Sequence, residues 1–114
     1  AQHSPLVLKA MDYISIHLHS RIFLQDVADA AAVSAPHLSR KFQEEMHVSI
    51  SEYIAIKKIE AAKNLLQYTQ QPASAISSLL SFSSQSYFIK VFQKYVGMTP
   101  KEYRRQFQNS TRFS

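Results

Sequence analysis

The chain predicts an all-α fold of about seven helices, arranged as two helix-turn-helix lobes joined by a long linker helix. Three observations lead there. A single Gly and four Pro among 114 residues, with scarcely any alternating apolar run and no hairpin signal, leave helix as the main element. The apolar residues recur at helical spacing. The chain also contains one stretch twice: SSQSYFIKVFQKYVGMTPKEYR, residues 83–104, set back fifty positions lands on SAPHLSRKFQEEMHVSISEYI, residues 34–54.

In that alignment Phe42 meets Phe92, Gln43 meets Gln93, Glu52 meets Glu102 and Tyr53 meets Tyr103. Arg40 over Lys90, Leu38 over Phe88, Val48 over Met98 and Ser49 over Thr99 keep charge, size or hydroxyl. An internal duplication follows. Upstream the copies match at a spacing of forty-nine instead, Val27-Ala28 over Ile76-Ser77 and Ala32-Val33-Ser34 over Ser81-Phe82-Ser83, which places one added residue just after Ser83.

Taken in order, the first helix opens at Ser4-Pro5, an N-cap followed by a first-turn proline, and carries Val7, Ala10, Met11, Ile14 and Leu18 inward through about His19. The next runs from Leu24 to Ala31, with Asp26 near its positive end. After a break at Ala32-Val33-Ser34 a third helix runs from Ala35 or Pro36 to Met46, with Ser34 as N-cap and Leu38 and Phe42 facing inward. Residues 50–68 read as one amphipathic helix of about eighteen residues, hence about 27 Å long. Ala73 to Leu80, a Ser-rich break, Gln85 to Val96 and Gly97 as a stop then repeat the first pattern. Thr99-Pro100-Lys101-Glu102 starts a closing helix to about Phe107. The expected boundaries are lobe one at about 5–49, the linker at about 50–68, lobe two at about 73–108 and a frayed tail at 109–114.

One domain with a shared connecting helix suits 114 residues better than two independent ones. With no Cys, a disulfide framework and a thiolate metal site are excluded. His17 and His19 face different ways on a helix and no His-Glu-x-x-His run exists, so neither metal nor cofactor is expected. No apolar run reaches the eighteen or so residues that span a bilayer, and no signal sequence opens the chain. A soluble, cytoplasmic protein is expected. The start at Ala1 without Met reads as a piece of a longer chain. Thirteen Lys and Arg against eight Asp and Glu, a net +5, suit a polyanionic partner.

The run YFIKVFQKYVGMTPKEYR, with Phe82 before it, closely resembles the signature of the AraC/XylS family of bacterial transcription regulators, and SAPHLSRKF resembles the matching part of that family's first helix-turn-helix. The similarity covers about residues 24–107. It implies a sequence-specific binder of double-stranded DNA, with each lobe placing one helix in adjacent major-groove segments. It also implies an effector or dimerisation domain outside this stretch and RNA polymerase as a partner of the full regulator. The family's turn glycines are replaced by Ala32 and Ser81, and the glycine after its first recognition helix by His47. If these positions keep positive φ, each replacement costs about 1 kcal/mol. An Arg common in the family's connecting helix stands here as Lys58.

Residues on the first two turns of such helices reach base edges. The outward set in the first lobe is Pro36, His37, Ser39 and Arg40, of which only Arg40 has the fork for a bidentate contact to guanine. In the second lobe it is Gln85, Ser86, Ile89 and Lys90, with Gln85 suited to adenine, Lys90 to guanine or phosphate, and Ile89 to a thymine methyl. Ser34 and Ser84, at helix starts, and Lys41, Lys57, Lys58, Lys94, Lys101, Arg104 and Arg105 are the candidate phosphate contacts. Without a phosphate loop, nucleophile elbow or paired carboxylates, no enzyme is expected. The competing reading is a helical protein-interaction module, which would call for apolar residues where Ser39, Arg40, Gln85 and Lys90 stand.

Overall fold

Short polar side chains that satisfy free backbone N–H groups mark where five of the helices of this protein begin, while α2 and α5 start after Phe23 and Pro72 without such a cap. The Ser4 hydroxyl accepts from Val7 N–H, Ser34 from His37 N–H and Ser84 from Tyr87 N–H. Two reciprocal capping boxes add to these: Ser49 and Glu52 exchange backbone-to-side-chain bonds, as do Thr99 and Glu102. The Thr99 backbone N–H first, then the Thr99 hydroxyl, hold the Glu102 carboxyl below the usual carboxylate range. The computed structural model describes residues 3–112, with side chains described to residue 108. Over that span it has seven helices and no strand: α1 Pro5–Ile16, α2 Leu24–Ala30, α3 Ala35–Met46, α4 Ile50–Tyr68, α5 Ala73–Leu79, α6 Gln85–Val96 and α7 Pro100–Arg112.

Two ends differ from the sequence reading. α1 stops at Ile16, short of His19, because His17 leaves helical geometry and stacks its ring 4.0 Å from that of Tyr13. α7 continues beyond Phe107 to Arg112. Of the expected tail at 109–114, residues 113 and 114 lie outside the described residues.

The chain forms two compact units, residues 1–57 and 58–114, divided inside α4. In the first, Val7, Ala10 and Ile14 of α1 meet Val27 and Ala28 of α2, Leu38 and Phe42 of α3, and Ile50 and Tyr53 from the first turns of α4. The second has a matching buried set: Ile59, Ala62 and Leu66 of α4, Ile76 and Ser77 of α5, Phe88, Val91 and Phe92 of α6, and Pro100 of α7. Val7, Ala10, Ile14 and Ile59, Ala62, Leu66 share one i, i+3, i+7 pattern with alanine in the middle, so the duplication extends upstream of the repeated stretch. Edge-on aromatic pairs repeat as well, Phe42 with Tyr53 at 5.2 Å and Phe92 with Tyr103 at 5.7 Å.

Left-handed residues repeat at equivalent places: Ala32 (φ 61°) and Ser81 (φ 56°) in the turns, His47 (φ 63°) and Gly97 (φ 87°) after α3 and α6. Three of these four positions carry a Cβ in a conformation that disfavours it. Ala32→Gly and His47→Gly are each expected to raise unfolding stability by up to about 1 kcal/mol. Both are exposed, so little packing is lost. Urea midpoints at unchanged slope would measure the gain, and a loss at either position would refute the strain.

Candidate nucleic-acid interface

In each unit a short helix, a turn and a longer helix follow one another: α2 and α3 in the first, α5 and α6 in the second. The turns close alike, with Val33 N–H donating to the Ala28 carbonyl at 3.1 Å and Phe82 N–H to the Ser77 carbonyl at 3.0 Å. Because Ser84 caps α6 as Ser34 caps α3, the added residue of the second copy lies before Ser84, within the turn, and Ser84 is the counterpart of Ser34.

Burial of Leu38 and Phe42 turns the opposite side of α3 outward. Pro36, His37 and Arg40 are exposed there and Ser39 is half-buried. The Arg40 Nη2 lies 3.3 Å from His37 Nδ1, which lays the guanidinium along this outer face. On α6 the buried Phe88, Val91 and Phe92 leave Gln85, Ser86 and Lys90 exposed. Ile89 is half-buried and lines a cleft with Leu66 and Pro100, so part of its side chain packs within its own unit. Sequence reasoning passed over Tyr87, which is 52% exposed on the first turn of α6 with its ring 6.3 Å from that of Phe82. Its signal was its place outside the Phe88, Val91, Phe92 stripe.

Among the phosphate candidates, Lys58 is corrected. It is only 6% exposed and donates from Nζ to the Leu80 carbonyl at the C-terminus of α5. Burial lowers its pKa from the ordinary lysine value. This ammonium is part of the second unit's interior. Arg104 is also committed within its unit: Nε donates to the Leu66 carbonyl at 3.0 Å and Nη2 to the Thr69 carbonyl at 3.2 Å, closing the C-terminus of α4. Lys41 pairs with Glu45 at 3.9 Å, Lys57 stands 5.5 Å from the Tyr53 ring centre and Lys94 5.3 Å from that of Tyr95. Ser34, Ser84, Lys94, Lys101 and Arg105 are exposed, and Lys41 and Lys57 half-buried. No helix among the described residues is long and apolar enough to cross a membrane.

A capped helix with a basic, hydrogen-bonding outer face, presented after a tight turn, is an element that fits the major groove. Known proteins agree with that geometry. Residues 27–106 match a family described as helix-turn-helix domain. The chain is 40% identical over 100 residues to the xylose operon regulatory protein of Haemophilus influenzae, covering 88% of this chain and 26% of that protein. It thus spans about a quarter of the length of the curated relatives it matches. The C-terminal domain of AraT, a response regulator from Geobacillus stearothermophilus, is similar with 32% identity and a TM-score of 0.88, covering 93% of this chain and 88% of that one. The DNA-binding domain of AdpA, solved in complex with a target DNA, shares the fold at a TM-score of 0.88 and 18% identity, covering 94% and 96%. With its duplicated helix-turn-helix units, its signature run and these likenesses, the chain belongs to the AraC/XylS family of helix-turn-helix DNA-binding domains.

Proposed function

We propose that this domain reads a non-palindromic DNA site with α3 and α6, each in one of two adjacent major-groove segments about one helical turn, roughly 34 Å, apart. The observation that carries the reading is the outer face of the two second helices, where Pro36, His37, Arg40, Gln85, Ser86 and Lys90 are exposed and uncommitted to either core. Arg40 is the leading base reader, through guanine O6 and N7, and Gln85 is suited to adenine N6 and N7. Ser39 and Ile89 serve at the edge of the same faces, Ile89 through its exposed part toward a thymine methyl.

The helix starts at Ser34 and Ser84, with Lys41, Lys57, Lys94, Lys101, Arg105 and the Tyr87 hydroxyl, supply phosphate contacts that position the domain. The role is binding, not catalysis, in a cytoplasmic bacterial transcription regulator whose effector or dimerisation domain is a separate part and whose partner is RNA polymerase. Support for the larger protein comes from relatives in which the match covers only 26% of the length.

Selection of bound sequences from random duplexes, followed by footprinting, tests this. Two protected major-groove segments on one face, separated by about one turn, are expected. Protection confined to a single half-turn would refute engagement by both helices.

A further inference from the structure

The second unit holds an open cleft of about 460 Å³ whose rim includes Gln85 and Ile89 of the proposed reading face but whose apolar floor has no part in it. Leu66, Ala73, Ile89 and Pro100 form its apolar surface, while Lys101 and Arg104 stand among its lining, which includes no acidic residue. The volume lies within the range of about 300–1,000 Å³ common to small-molecule sites. Lys101 and Arg104 are three apart on α7 and therefore project from one face. The Leu66 and Thr69 carbonyls hold the Arg104 guanidinium in place, so it needs little ordering on binding a ligand. Those two bonds use part of its fork of five N–H donors.

We propose that this cleft binds a small amphipathic carboxylate, its apolar body against Leu66, Ala73, Ile89 and Pro100 and its charge between Lys101 and Arg104, and that the bound ligand antagonises DNA binding. The chemistry favours this class over others. A neutral apolar molecule leaves the two cations without a counter-charge, and a bare inorganic anion leaves the apolar surface wet. The antagonism rests on the reading proposed above: Gln85 and Ile89 line the cleft and also stand on the face assigned to bases, so a ligand in contact with them takes them from the groove.

2-Naphthoate, titrated into the whole chain and followed by NMR of the methyl groups, tests the site. Saturable shifts at Leu66, Ala73 and Ile89 are expected, with Kd on the order of 1 mM or tighter. The neutral 2-naphthamide should bind at least about fivefold more weakly, and Lys101→Gln should weaken naphthoate by about five- to tenfold. Ala73→Leu fills the cleft and should abolish binding, its own spectrum reporting whether it folds. In DNA titrations the apparent Kd should rise in proportion to naphthoate for the unaltered chain and stay constant for Ala73→Leu. Absence of saturable shifts, equal binding of the amide, or binding that leaves DNA affinity unchanged would overturn the proposal. A chain that fails to bind DNA before any naphthoate is added refutes the DNA-reading role, and the methyl titration still decides whether the cleft is a site.

Discussion

Replacing Arg40 by alanine should weaken binding to the selected site by about 1–3 kcal/mol, roughly five- to 150-fold, and leave binding to random duplex much less changed. The expectation rests on geometry and on the difference between two kinds of contact. The guanidinium is exposed on the second turn of α3, in the length of helix that reaches base edges, and its placement beside His37 keeps it along the outer face. A bidentate pair to guanine is lost only where guanine is present, whereas a phosphate contact is lost on every sequence. Salt titrations separate the two: a base reader changes affinity with little change in slope, and a phosphate contact reduces the slope by about one. Equal losses on selected and random DNA, with a flatter slope, would demote Arg40 to a backbone contact. The substitution should not disturb folding, since Arg40 is exposed and this helix meets the core through Leu38 and Phe42, with Ala35 and Met46 beside them.

Lys58→Ala should instead destabilise the second unit, by about 2–4 kcal/mol, and leave the salt slope of DNA binding unchanged. The Leu80 residue is fully buried and its carbonyl accepts from Lys58, so deleting the donor strands a buried acceptor at about 1–3 kcal/mol. Loss of the packed lysine stem adds about another 1 kcal/mol. The ammonium also sits at the negative end of α5, where a cation is favoured. Lys58→Met, which keeps most of the stem, should recover only the packing share. Burial sets the pH dependence: with the folded-state pKa below 10.5, the unfolded chain binds more protons in the alkaline window beneath that value. Stability contributed at this position therefore rises as pH increases through that window, and Lys58→Met should remove the trend. Denaturant midpoints between neutral and alkaline pH measure both effects. An unchanged midpoint for Lys58→Ala, with a reduced salt slope, would return Lys58 to the phosphate contacts.

Lys58 also shows where one-dimensional pattern loses its grip. In sequence it stands among Lys57, Glu60 and Lys63 and reads as part of a charged face. Yet it lies four residues after Ile54 and four before Ala62, within the apolar side of a helix of period 3.6, and the equivalent place in the first unit, one before Val7, is Leu6. The cue was positional, and the residue type outweighed it. Arg104 is similar: its sequence shows a cation near the end of a repeat, and only packing of α7 on α4 presents it with the Leu66 and Thr69 carbonyls.

The left-handed positions lie at the other extreme. Ala32, Ser81 and His47 were legible as strained through the family resemblance, whose glycines they replace, and the structure has positive φ at all three.

Sequence by itself determined the helices, most of their caps and the inward stripes, since each depends on residues within one or two turns of each other, and comparing the two halves residue by residue gave the duplication. That the buried Lys58 and half-buried Arg104 are spent on carbonyls, and that Ile89 borders a cleft, were decided only by tertiary structure. Desolvation and partner geometry are properties of atoms brought together from α4, α5, α6 and α7, and no spacing along the chain encodes them.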